Sequence, residues 1–386
     1  MSAAWISGLA GAREREVVVI GGGIVGACVA HALCEASVRV MVLVAGWPGR
    51  GTSGASLAWV NSANKTPEAY HRLNAAGMPA YASLRDRFGP DCGVHLEGAL
   101  NWVDSDDRRA ELRERFERLR AWGYPVEWVP PEQVTSELAP ELRMDPEAVR
   151  EVLHMPTEGW IDAPLLIQRL LEEVRRRGGA VRCGERVREV RRAAGRAAGV
   201  VTERGDWIGA EVVINCAGPE ADRVAASAGL RLPMTRVPGL LIVTDRVPLR
   251  LRQVVHPPGP SFRPDGGGRV AILTGWTPEG SPDEITPAPS LYPPPEAGAV
   301  LAESARFLPA LAAARVEAAR LGVRPMPLDG YPMIGPHPEL PGFYVVVTHS
   351  GITLGPVLGP LVAAEVTTGR PEPVLAPYRV ERLLGS

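Results

Sequence analysis

"EVVVIGGGIVGACVAHALCEASVRVMVLV" (residues 16–44) decides how the rest of the chain is read. A β-branched run, Val17–Ile20, meets three successive glycines. An apolar stretch of helical length follows, and β-branched residues return before Val44. The pattern predicts strand, tight turn, helix and strand, a βαβ unit at the start of the fold. Gly21-x-Gly23-x-x-Gly26 falls on the strand-to-helix turn. The first glycine permits the turn, the second lets backbone approach a pyrophosphate, and the third lets the helix lie close on the strand. The helix N-terminus, with Ile24 and Val25 in its first turn, then faces the anion. A tight turn with no ligand uses the same glycines, so the flanking elements are what favour a dinucleotide.

The second strand ends unusually. A carboxylate is expected there to hold a ribose, yet the chain reads Val44-Ala45-Gly46, with no Asp or Glu between Glu35 and Glu68. Arg50 lies nearby and would suit a 2′-phosphate, so the glycine turn alone leaves NAD, NADP and FAD open.

The totals narrow the classes. A chain of 386 residues can hold two cored domains, and 45% hydrophobic with 22% charged residues is a globular balance. A net charge of −2 gives no attraction to nucleic acid or to an anionic membrane. Lys65 is the one lysine among 42 basic residues. Cys28, Cys34, Cys92, Cys183 and Cys216 form no CxxC pair and no metal-binding spacing, and read as reduced thiols. No metal is expected. The start of the chain lacks a basic n-region, and the apolar run Val17–Leu33 is broken by glycines. No other stretch reads as long enough to span a bilayer, so a cytoplasmic protein is expected.

Farther along, Pro67 opens a predicted helix running to about Arg87. "EGWIDAPLLIQRLLEEV" predicts a helix capped by Asp162, with Pro164 in its first turn. "SFRPDGGGRVAILTGW" predicts a hairpin turning at Asp265–Gly268, and the proline-rich 281–298 an irregular surface loop. The α/β pattern occupies 13–90, 151–225 and 321–386. Strand-rich or mixed stretches occupy 91–150 and 226–320. The expected fold class is α/β: a discontinuous, doubly wound Rossmann-type domain carrying an inserted, mostly antiparallel substrate-binding domain.

Six stretches, in order, carry a resemblance: "VVVIGGGIVGACVA", "GRGTSGASLAWVN", "EGWIDAPLL", "VVINCAGPEAD", "GVRPMPLDGYPMIG" and "VTHSGITLGPVLGPLVA". Together they resemble the D-amino-acid oxidase superfamily of FAD enzymes over nearly the whole chain. The resemblance implies FAD, held noncovalently because no cysteine follows Cys216. It implies cofactor contacts from the glycine turn, from Gly51, Thr52, Ser53 and Ser56, and from Val187, Ala217 and Gly218. Gly351, Ile352 and Thr353, at a further helix N-terminus, would face the flavin N1–C2 carbonyl edge. The family's acid at the end of strand two aligns with Val44. A hydrogen bond to a charged group is worth about 1.5–3 kcal/mol, so its loss should weaken FAD roughly ten- to a hundredfold.

The resemblance also implies a chemistry: hydride transfer from the Cα of a small amine or amino acid to flavin N5, followed by electron transfer to O₂ or another acceptor. Arg324, in "GVRP", matches the arginine that pairs with a substrate carboxylate, a task suited to the guanidinium fork. Trp276 falls where the family lines its pocket, His349 opens the last motif, and Arg263 and His256 are further candidates. Family oxidases can use a lysine near the flavin for O₂ activation, a part that only Lys65 could play here. A dehydrogenase, a 2-hydroxyacid oxidase and a noncatalytic flavoprotein component of a complex are the competing readings.

Overall fold

The computed structural model describes residues 16–274, 289–290 and 296–384. Trp276 and most of the proline-rich 281–298 lie outside the described residues. The opening unit forms as its pattern dictates: β1 (Glu16–Ile20), α1 (Ile24–Glu35) and β2 (Arg39–Val44). Gly21 takes φ +113°, and a Cβ there would stand 2.3 Å from the Cys216 carbonyl oxygen. A Cβ on Gly26 would stand 2.1 Å from the Gly21 carbonyl oxygen. The turn and the close seating of α1 on the sheet therefore both require glycine.

β1 lies inside a six-stranded sheet ordered Met333–Pro336, Phe343–Val347, Val212–Asn215, β1, β2 and Ala180–Cys183. Its pairings are parallel except at the Met333–Pro336 edge. All three α/β stretches of the sequence contribute strands. The helix Gly351–Thr368 lies along α1 through small residues: a Cβ on Gly359 would be 2.6 Å from the Cys28 carbonyl oxygen, and one on Gly355 3.2 Å from Ile24. By length and composition this helix could cross a membrane, contrary to the expectation that no further stretch was long enough. In the fold it is a core helix, with Leu354, Leu358 and Val362 fully buried.

The second large sheet has nine strands and is mostly antiparallel. At its heart Met234–Thr244 pairs with Val316–Pro327, with Gly239 opposite Gly322 and Val237 opposite Arg324. Two strands cross the expected boundaries: Val152–Met155 joins this sheet by pairing with Ala99–Asn101, and Val316–Pro327 runs through position 321 without a break. Both depend on partners remote in sequence.

Local signals elsewhere hold, with one exception. Asp162 accepts the Leu165 N–H at 3.0 Å and caps its helix. The hairpin turns through Gly266, Gly267 and Gly268, all at positive φ. The helix expected from Pro67 to Arg87 is instead two, Glu68–Ala75 and Gly77–Phe88. A Cβ on Gly77 would stand 2.6 Å from the Thr353 carbonyl oxygen, so the break lets this segment lie against the helix Gly351–Thr368. All five cysteines are free, four buried and Cys183 half-buried.

Candidate active site

Two helix N-termini converge at the end of the six-stranded sheet. Neither N-cap residue, Gly23 of α1 nor Ser350 of Gly351–Thr368, caps its own helix through a side chain, and a Cβ on Gly351 would lie 3.0 Å from Val25. Such first turns present backbone N–H groups and the positive end of the helix dipole. The Thr52–Ala55 turn crosses in front of α1, where Ser53 Oγ accepts the Ile24 N–H at 3.1 Å. A Cβ on Gly51 or Gly218 would meet nothing within 4 Å. Ala217 and Gly218 follow directly on Cys216, against which Gly21 packs. Open backbone beside two helix N-termini is the cradle a dinucleotide pyrophosphate needs, so the residues present fit FAD.

The hydroxyls of this loop have protein partners as well. Thr52 Oγ1 donates to the Val323 carbonyl at 2.5 Å, and Ser56 Oγ accepts the Ala58 N–H at 3.0 Å. Arg320 Nη1 donates to the Gly54 carbonyl at 3.0 Å, and a Cβ on Gly322 would be 2.4 Å from the Ala55 carbonyl oxygen. Strand Val316–Pro327 of the nine-stranded sheet thus presses directly on this loop. Val187, at the start of Val187–Ala193, packs on the core beneath the sheet. Val44 lies against the glycine turn, where a Cβ on Gly22 would be 2.6 Å from its side chain.

Arg324 stands one residue beyond the clamped Val323. Its side chain is exposed to solvent, and the protein around it lowers its pKa through partial desolvation. It has no ion pair or hydrogen bond among the described contacts, and Nη2 lies 4.0 Å from a Cβ built on Gly239. Lys65 is half-buried and its pKa is pushed down to about 8, mainly by burial and further by Arg324, with Glu158 opposing. His349 is pushed down to about 4, by burial first and then by Lys65 and Arg324, so it is neutral near pH 7. Its Nε2 lies 3.4 Å from Tyr70 Oη, which donates to Ser350 Oγ at 2.8 Å. Lys65 Nζ is 6.0 Å from the centre of the same Tyr70 ring. Arg324, Lys65 and His349 therefore share one electrostatic neighbourhood, and Thr353 closes it by accepting the Asn61 N–H at 3.1 Å. Ile352 accepts the Tyr81 hydroxyl through its carbonyl.

Two candidates belong to the framework. Arg263 is buried, donates to the Leu57 carbonyl at 2.6 Å and to Asp265 at 2.8 Å, and stacks on Trp160. His256 is enclosed, its pKa pushed down to about 3, with Nδ1 2.8 Å from Ser261 Oγ. One residue escapes a reading of the sequence. Glu158 is fully buried and accepts the N–H groups of Ser62 and Ala63 at 2.9 Å each and the Tyr124 hydroxyl at 2.7 Å. It fixes the turn that delivers Lys65. Its signal is its place at the head of "EGWIDAPLL", but its partners Ser62 and Ala63 lie about a hundred residues away and no local rule names them.

A protein-family model described as FAD dependent oxidoreductase matches residues 16–365. Glycine oxidase of Geobacillus kaustophilus is 29% identical over 382 residues, covering 97% of this chain and 98% of that protein. Its crystal structure superposes with TM-score 0.82 over 95% of this chain and 98% of that one, at 25% identity. Glycine oxidase of Pseudomonas aeruginosa is 28% identical over 391 residues, covering 95% of this chain and 98% of that protein. The structure of iminodiacetate oxidase from Chelativorans sp. BNC1 gives TM-score 0.79 at 25% identity, over 94% of this chain and 98% of that one.

Proposed function

Because the chain belongs to the FAD-dependent oxidoreductase family, we propose that it oxidises the C–N bond of a small carboxylated amine or amino acid, with O₂ as final electron acceptor. FAD, when bound, supplies the hydride-accepting chemistry. The glycine turn, the Gly51–Ser56 loop, Val187, Ala217, Gly218 and Gly351–Thr353 would hold it. This chain's own residues then have to bind and orient the substrate.

The observation that carries the reading is Arg324. It is a solvent-accessible, partly desolvated guanidinium with no protein carboxylate among the described contacts to neutralise it, one residue from the Thr52–Val323 contact. A planar carboxylate matches its fork and would fix the amine-bearing carbon relative to that loop. His349, neutral near pH 7, adds no charge to compete for the carboxylate and can exchange a proton with Tyr70 or water. The glycine oxidase likeness supports an amino-acid substrate.

Lys65 favours one refinement. Two cations that feel one another's charge, with no ion pair among the described contacts, suit a substrate with two anionic groups. The likeness to iminodiacetate oxidase supports a dicarboxylic amine. Lys65 would take the second carboxylate during substrate binding and remain as the ammonium facing O₂ after product leaves.

The test is a panel of mono- and dicarboxylic amines, scored by anaerobic bleaching of the flavin and by hydrogen peroxide release in air. Arg324→Ala should lower kcat/KM by roughly thirty- to several-thousandfold, the cost of about 2–5 kcal/mol for truncating one partner of a desolvated charge pair. FAD content should not change. Arg324→Lys should recover only part of the loss. Bleaching without peroxide would replace O₂ by another acceptor. Survival of activity in Arg324→Ala within about threefold, under 1 kcal/mol, would remove the carboxylate from the reading.

A further inference from the structure

The end of β2 offers no carboxylate to an adenosine ribose, but the neighbouring strand does. β2 pairs with Ala180–Cys183 in parallel, with Val44 opposite Cys183. Past that pair the chain turns at Gly184, whose N–H donates to the Gly46 carbonyl at 3.1 Å. The Glu185 N–H then donates to the Val44 carbonyl at 2.9 Å. These two bonds place Glu185 beside the residue that fails to supply the acid. Glu185 is 8% exposed. Its Oε1 is 3.5 Å from Arg204 Nη1, whereas its Oε2 is buried with no hydrogen-bond partner. A carboxylate oxygen withdrawn from water without a donor is destabilising, and such an atom calls for an explanation such as a missing ligand. Two residues farther on is Val187, itself among the expected cofactor contacts. On the other side Val44 packs against Gly22 in the glycine turn.

We propose that Glu185, at the exit of the strand next to β2, supplies the carboxylate that accepts hydrogen bonds from the ribose hydroxyls of bound FAD. The acid has moved from the end of one strand to the exit of its neighbour. Arg204 holds one oxygen and leaves the other for the ribose. Val44, freed from that task, fills the space over the glycine turn. The sequence-derived expectation of a weakly held cofactor is then reversed: FAD should stay bound through purification. The inference rests on FAD as the cofactor and is independent of the substrate reading.

The experiment titrates the apoprotein with FAD and, separately, with FMN, which lacks the adenosine. Wild type is compared with Glu185→Gln and Glu185→Ala. The Gln change keeps the shape and removes the charge. Loss of a charge-assisted hydrogen bond corresponds to a roughly ten- to hundredfold higher Kd for FAD. The Kd for FMN should stay within about twofold, under 0.5 kcal/mol, which also shows that both variants are folded. An FAD Kd within that same margin of wild type in both variants would overturn the proposal. So would an equal loss of FAD and FMN affinity, which would make Glu185 a structural residue.

Discussion

Lys65 shows how much a single residue's surroundings decide. Burial and Arg324 bring its pKa down to about 8, with Glu158 pulling the other way, while its Nζ lies 6.0 Å from the Tyr70 ring centre and its charge lowers the pKa of His349. The ammonium is present below that pKa and lost above it. A second substrate carboxylate favours the charged form, so affinity for a diacid should be full at pH 7 and fall as pH rises past about 8. Oxydiacetate, with an ether oxygen in place of the amine, is a probe that does not itself titrate there. Its Kd, read from the flavin spectrum, should rise with pH in wild type and stay flat and weaker in Lys65→Met. Methoxyacetate, the monoacid, should be indifferent to both changes. If Lys65→Met instead slows reoxidation by O₂ and leaves diacid binding alone, the lysine serves the acceptor side only.

At this scale the sequence spoke unevenly. Arg324 and Lys65 could be named as candidates, one through its "GVRP" context and the other as the sole lysine. Glu158 and Glu185 were not. Their importance comes from burial and from partners on distant strands, which spacing along the chain does not encode. For Arg263, a weaker candidate, the burial and the pairing with Asp265 that tie it to the framework were equally out of sight.

Among the elements, the pair α1 and Gly351–Thr368 organises the end of the sheet proposed to hold FAD. Each was readable alone, from a strand, a glycine turn and an apolar run. Their mutual contact was not, because it depends on Gly355 and Gly359 meeting Ile24 and Cys28 from the opposite end of the chain. The split of the Glu68–Phe88 region has the same origin, in Gly77 pressing on Thr353. Gly359→Val should push the two helices apart. Overpacking of this kind costs about 1–3 kcal/mol, seen as a lower Tm of the apoprotein. Because the two N-termini meet at Val25 and Gly351, FAD affinity should fall with it. Gly369→Ala, at the far end of the same helix where a Cβ meets nothing within 4 Å, should leave FAD affinity unchanged; its φ of +69° costs only local backbone strain.

Across the whole molecule, the architecture joins two sheets through a short loop. Doubly wound and antiparallel parts were both legible from periodicity and punctuation, since strand, helix and hairpin signals are local. The reach of strand Val316–Pro327 from one part into the other was not, because a strand's length is set by its partners. That reach fixes Thr52, Gly54 and Ala55 against Val323, Arg320 and Gly322, and Arg324 rides on the same strand.

The proposed cofactor and substrate sites are joined through the Thr52–Val323 contact, and on that reading they share a coupling free energy. Whatever factor an occupied substrate site contributes to holding FAD, bound FAD must return to that site, since the two orders of assembly end in one complex. Methoxyacetate or oxydiacetate should therefore slow the release of FAD from the holoprotein on dilution, and their binding to the apoprotein should be weaker by the same ratio as FAD is tightened. Coupling energies of this kind commonly run about 1–3 kcal/mol, or roughly 5- to 150-fold. Thr52→Val, which removes the tie to Val323, should shrink that ratio toward one while each ligand still binds alone. A protein wired in this way would lose its flavin most readily when starved of substrate, making cofactor retention itself a readout of what the substrate site recognises.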